Sequence, residues 1–160
     1  MHIDQSLINS LLLKASESER KRTFLNLHQS FAEPVQRVLI AILADSYVVP
    51  HQHPNAGQFE LFLVLSGEID LIEFADDGTI KARQTIGAGM SQVGVELPPG
   101  VWHSLVAKGD GAVFMEIKAG PFDPSAPRHF AKFAPEEKSE LAIPYLQWLK
   151  TASVGQCFAE

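Results

Sequence analysis

Apolar residues recur at two different spacings along this chain, and the change of spacing divides it. Over residues 4–15, DQSLINSLLLKA, the positions Leu7, Ile8, Leu11 and Leu12 fall at i, i+3 and i+4. That is the stripe of an amphipathic helix, and Asp4 is available as its cap. The polar run SESERKR interrupts the stripe, and Asn26, Leu27 and His28 read as an extended approach to a strand-rich region. From residue 35 the pattern shortens to brief runs rich in β-branched residues, at 35–43, 46–50, 59–65, 68–74, 79–86, 101–107 and 112–118. Gly67, Asp76-Asp77-Gly78, Gly87, Gly89 and the segment 108–111 punctuate them. Short strands at close spacing predict an all-β domain, closed or sandwiched. After GPFDPSAP the period lengthens again: Pro135, Glu136 and Glu137 open a second helical segment, which Pro144 interrupts before YLQWLK. This segment is expected on the outside of the barrel. The chain then reads as one domain: a helix and arm over 1–34, a barrel over 35–134 and a helical segment over 135–160.

Composition narrows the partners. A chain of 160 residues is long enough for one core. Its net charge is −6, and the one dense basic group is Arg20, Lys21 and Arg22, so attraction to nucleic acid or anionic lipid is not expected. The longest apolar run, 38–44, is far short of the ~20 residues of a membrane helix. The N-terminus carries Asp4 where a signal peptide would be basic, and Asn9 and Ser10 break its apolar stretch, so a cytoplasmic protein is expected. Cys157 is the single cysteine, which excludes an internal disulfide, and its place near the end argues against a catalytic thiol.

The chemistry concentrates in HQHPNAGQFELFLVLSG, residues 51–67, and in PPGVWH, residues 98–103. On a strand, His51 and His53 at i, i+2 face one way, with Tyr47 and Val49 on the same side if the strand runs unbroken. Glu60 shares a face with Phe62 and Val64, and a carboxylate heading an apolar strand is costly to bury unless something pairs with it. A metal would supply that pairing, with His103 as a third imidazole. A lone histidine is more often a surface or satisfied core residue than a ligand. The joint arrangement of His51, His53, Glu60 and His103 favours a metal site.

These segments resemble the cupin motifs. The first has the form HxH, a short gap, Glu, six residues and Gly, and stands here as His51-Gln52-His53, Glu60 and Gly67; the second, PxGxxH, runs from Pro98 to His103. The resemblance implies an all-β cupin jelly-roll β-barrel, with a short N-terminal helix and a C-terminal helical segment added, and with those four residues ligating in its mouth. Four features depart from the pattern. The gap between His53 and Glu60 is six residues rather than three or four, Asp45 stands for a glycine before His51, Gln92 for the second motif's early glycine, and Ala107 for its trailing asparagine. The long gap leaves Gln58 as a candidate pocket residue or substitute ligand. Residues from Arg20 to about Pro135 also resemble the WbuC family of cupin fold metalloproteins, through RKR and NLH before the barrel, PVQR, HxHP, PPGxWH and EIKAGPF. Some members of that family are associated with surface-polysaccharide gene clusters.

A set of three imidazoles and a carboxylate suits one divalent transition metal ion, Fe, Zn, Ni or Mn, with Cu also compatible. Candidate pocket residues beside it are Arg37, as an anion-holding group, Asn26 and His28 near the mouth, Tyr47, Gln58 and Phe62, and Glu96 and Glu116 as acid or base groups. Strand parity leaves Glu116 open, because either Phe114 and Glu116 or Val113, Met115 and Ile117 face inward, and the apolar set is the safer choice for the core. Trp102 is read as packing or a subunit contact. The leading expectation is a metal-dependent enzyme, an isomerase or oxygenase, acting on a small polar molecule such as a carbohydrate derivative. The rival is a cupin that binds or senses a small-molecule ligand without turning it over. A metal-free sugar epimerase is disfavoured by the intact histidine and glutamate set. Sheet edges left by such a barrel suggest a homodimer.

Overall fold

The computed structural model describes residues 1–53, 57–123 and 129–159. Helix α1, Gln5–Glu17, starts where expected, with the Asp4 carboxylate accepting the Leu7 N–H at 3.0 Å. The strands are β1 Arg22–Asn26, β2 Val35–Ile42, β3 His51–Gln52, β4 Glu60–Ser66 and β5 Glu68–Phe74. They continue as β6 Ile80–Gly87, β7 Gly94–Leu97, β8 Trp102–Ala107, β9 Ala112–Ala119 and β10 His129–Phe130, and helix α2, Ala142–Thr151, comes after them. Among the described residues the strands form two antiparallel five-stranded sheets, in the orders β1-β2-β9-β4-β7 and β10-β3-β8-β5-β6. This is the jelly-roll arrangement.

Each sheet is covered on both faces. Between the sheets lies a core that includes Ile40, Ile42, Phe62, Val64, Leu71, Leu105 and Phe114. Behind the first sheet, Ile8, Leu11 and Ala15 of α1 pack on Leu39, Ala41 and Val113. Behind the second, Tyr145, Leu146 and Leu149 of α2 pack on Ile72, Phe74, Ile80 and Val106. The double cover explains why β2 reads as an unbroken apolar run from Val38 onward: its two faces enter different cores. It also settles β9. Phe114 faces the barrel interior together with Glu116, while Val113 and Met115 face α1. Of the apolar set that looks the safer choice, Val113 is buried and Met115 half-buried in the other core, and Ile117 is half-buried.

Two expected elements differ. Residues 46–50 are not a strand, because their carbonyls are met from elsewhere: Arg22 Nη1 donates to Tyr47 O at 2.8 Å, Ser104 Oγ to Val48 O at 2.6 Å and Ala131 N to Pro50 O at 2.9 Å. The C-terminal helix starts at Ala142 rather than at 135–137. Pro144 therefore sits in its first turn, where an N–H has no intrahelical acceptor in any case, and does not interrupt it. Trp102 packs beside Phe133 and donates from Nε1 to Asp76 Oδ1 at 3.0 Å, which fits the packing role.

Candidate metal centre

Strand pairing brings the two histidine segments together, since His51 on β3 lies opposite His103 on β8. Their rings are 4.4 Å apart between centroids, and the His53 ring is 5.5 Å from that of His51. Glu60 opens β4 on the facing sheet, between Leu97 and Lys118 in register, and points inward with Phe62 and Val64. All four side chains are buried, His51 at 5%, His53 at 8%, Glu60 at 3% and His103 at 2% exposure. His51, His53 and Glu60 offer ligand atoms that lie within 4.8 Å of one another, a group that could hold a metal ion. His103 Nε2 approaches the same carboxylate, 3.1 Å from Oε2, and His53 Nε2 lies 3.1 Å from Oε1.

The chemistry of these contacts fits a cation. His103 Nδ1 is 3.0 Å from the Val101 carbonyl and His51 Nδ1 is 2.9 Å from that of Val49. A carbonyl only accepts, so each Nδ1 carries the hydrogen, and in the neutral ring Nε2 presents a lone pair. For His103 that lone pair faces a carboxylate oxygen, two acceptors in contact without solvent between them. His53 Nε2 and His103 Nε2 are both buried without a hydrogen-bond partner. Only positive charge between ring and carboxylate, a proton or a metal ion, removes the repulsion. Ligands bound roughly 2.0–2.2 Å from one ion lie about 3 Å from each other at right angles, which is the spacing of His53 and of His103 from Glu60. Burial alone would raise the Glu60 carboxyl, but the His103 and His53 rings outweigh it and hold it well below the usual carboxylate range.

Beside His51 and His103 lies a cavity of about 370 Å³, a size suited to a small molecule. Of the residues expected to line a pocket, Asn26, His28, Phe62 and Glu116 do so. Arg37, Tyr47, Gln58 and Glu96 do not. Arg37 alternates with the inward-facing Gln36 and Val38, and its guanidinium pairs outside with Glu33 at 2.7 Å. Tyr47 turns into the core behind the second sheet and donates to Pro135 O at 2.8 Å, because its segment is not a regular strand. Gln58 precedes β4, which begins at Glu60, so strand alternation does not reach it. Glu96 is exposed and points away, between the inward-facing Val95 and Leu97.

Among the described residues, five polar residues of the cavity do not stand out in the sequence as pocket residues: Arg20 and Arg22, which pair with Glu137 at 2.8 and 2.7 Å, Glu137 itself, Gln36 and Lys118. Gln36 is 1% exposed; its Nε2 donates to Glu33 O at 2.8 Å and to Phe31 O at 3.2 Å, leaving Oε1 buried and unpartnered. His28 Nδ1 accepts the Arg37 N–H at 3.1 Å, while the Arg37 carbonyl accepts from Leu27 N at 2.8 Å. The neutral His28 ring therefore carries its hydrogen on Nε2, which is also buried and unpartnered. Lys118 comes after Phe114 and Glu116 on the inner face of β9, and that i, i+2, i+4 spacing in AVFMEIKA is the available signal.

Comparison with known proteins agrees with this architecture. A family model described as Domain of unknown function (DUF6016) matches residues 3–86, which takes in His51, His53 and Glu60 and ends before His103. No curated protein matches the chain. A cupin-like protein from Thermotoga maritima superposes with a TM-score of 0.52 at 18% identity, over 68% of this chain and 74% of that one. An oxalate oxidase in complex with the substrate analogue glycolate superposes with a TM-score of 0.55 at 20% identity, over 80% of this chain and 65% of that one. The fold is that of the cupins. Among the described residues no helix is long and apolar enough to cross a membrane.

Proposed function

The chain belongs to the family described as Domain of unknown function (DUF6016), and from the site it carries we propose a metal-binding cupin that acts on a small polar molecule. The ligands in this reading are His51, His53, Glu60 and His103. The observation that carries it is the His103 Nε2 lone pair set 3.1 Å from a buried carboxylate, with Nδ1 already committed to a backbone carbonyl. A metal bound there would supply Lewis-acid polarisation of a ligand oxygen or, if iron, oxygen chemistry. The protein's own part is positional. Val49 and Val101 carbonyls fix the imidazoles, Phe62 and Leu105 keep the floor dry, and the polar residues Asn26 and Glu116 meet the ligand nearer the mouth.

The resemblance to WbuC proteins extends this reading to a carbohydrate derivative of surface-polysaccharide biosynthesis, handled in the cytoplasm. A homodimer joined through an outer strand, for which β1 with its half-exposed Phe24 is the candidate, belongs to the same proposal. The second reading, a cupin that binds or senses its ligand unchanged, draws on Glu116, an acid that lines the cavity, being tied to Lys118 at 2.8 Å. Titration of chelator-treated protein with Fe(II), Zn, Ni and Mn tests the proposal. At least one ion should raise the melting temperature in a concentration-dependent way. No rise with any of them would refute it, and a ligand recovered unchanged from the loaded protein would select the second reading.

A further inference from the structure

Among the described residues Lys118 is the one lysine lining the cavity, and it stands beside the metal-site carboxylate. Its side chain is 14% exposed, with Nζ 2.8 Å from Glu116 Oε1, 3.9 Å from Glu60 Oε1 and 5.3 Å from the centre of the Phe122 ring. Register explains the placement, since Lys118 lies opposite Glu60 on β4 and Gln36 on β2, in one row across the inner face of the sheet. An ammonium group has three N–H donors. Glu116 engages one, and Glu60 is beyond hydrogen-bonding distance, so donors remain on the cavity side.

We propose that Lys118 is a specificity-determining residue that holds the carboxylate of a small anionic ligand next to the histidine–glutamate metal site. This rests on the reading of the cavity as a ligand site and adds the ligand's charge to it. A largely buried ammonium that hydrogen-bonds one carboxylate and lies 3.9 Å from a second keeps donors for a further anionic oxygen, and the Phe122 ring 5.3 Å away favours its position. A carboxylate fits better than a phosphate. Glu116 and Glu60 both lie within 4 Å of Nζ, and their charges oppose a dianion more strongly than a monoanion. The apolar wall of Val38, Ile40 and Phe114 leaves room for a short carbon skeleton behind the charged group.

The test is calorimetric titration with butyrate, its neutral isostere butyramide and inorganic phosphate, on protein as purified and after chelation. Wild-type protein should prefer butyrate to both other probes. Lys118→Met should weaken butyrate at least about tenfold, leave butyramide unchanged and keep its metal content, while Lys118→Arg should preserve the preference for the acid. The inference is overturned if butyramide or phosphate binds as tightly as butyrate, if Lys118→Met binds butyrate normally or loses its metal, or if no probe binds. Butyrate binding that depends on Lys118 in protein devoid of metal would uphold this inference while the metal reading fails, so the two are separable.

Discussion

Replacing Arg83 with methionine should destabilise the protein by about 3 kcal/mol, and the estimate comes from one buried ion pair. Asp70 on β5 is 4% exposed and accepts from Arg83 Nη2 at 2.5 Å, Arg83 Nε at 3.1 Å and Thr85 Oγ1 at 2.5 Å. The same guanidinium closes the C-terminus of α2, donating to Leu149 O at 2.7 Å, Ala152 O at 2.8 Å and Lys150 O at 3.2 Å. Those carbonyls have no partner in the helix, and a cation suits that end of its dipole. Removing one partner of a buried pair costs about 3–5 kcal/mol. The Thr85 hydroxyl remains, the half-exposed Lys108 still stands 3.9 Å from Asp70 Oδ1, and water can reach the helix end, which places the loss toward the lower limit. For a chain of this size that corresponds to a fall of roughly 6–12 °C in melting temperature. Urea unfolding followed by circular dichroism measures it. Asp70→Asn in the Arg83→Met background should restore part of the loss, because the buried charge, left with only the half-exposed Lys108 at 3.9 Å, is gone. A loss below about 1 kcal/mol, or a double variant weaker than Arg83→Met, would refute the reasoning.

Gly67 has φ of +72°, and a Cβ there would collide with the Gly111 carbonyl oxygen; Gly67→Ala should cost at least about 2 kcal/mol in urea unfolding, and a cost under about 1 would show that the turn yields. In metal-free protein whose His53 and His103 rings hold the proton that stands in for the ion, ionised Glu60 should add stability in full above pH 4.5, its unperturbed value, and lose it as the pH falls through its depressed native value. Glu60→Gln should flatten that acid limb, and an unchanged acid unfolding curve would contradict the assignment. Leu149, fully buried between α2 and the second sheet, should cost about 2–5 kcal/mol when cut to alanine, measured the same way; a change under about 1 would mean that α2 does not brace that sheet.

Much of the fold is legible in the sequence because its signals are local. Asp4 before an apolar stripe marks α1, and Gly67 and Asp77-Gly78 mark the turns that bound β5. The metal residues are legible for a similar reason: HxH, Glu and PxGxxH each place one group on one strand end, and β3–β8 pairing does the rest. The illegible part depends on which sheet face is covered and by what. Parity alone cannot tell that β9 is buried on both faces, so it leaves Glu116 open and gives Lys118 no prominence. Arg37 and Glu96 are polar residues on the right strands whose alternation carries them outward. Tyr47 departs from the expected pocket because the carbonyls of its segment are satisfied by Arg22 and Ser104 rather than by a ladder, and that exchange is a long-range event.

The most direct measurement is elemental mass spectrometry of protein purified without chelator or affinity metal, beside the His103→Ala variant. The account predicts about one transition-metal ion per wild-type chain and its loss in the variant, which remains folded. A variant that keeps its full metal content, or a wild-type protein that takes up no ion even after reconstitution, would contradict it.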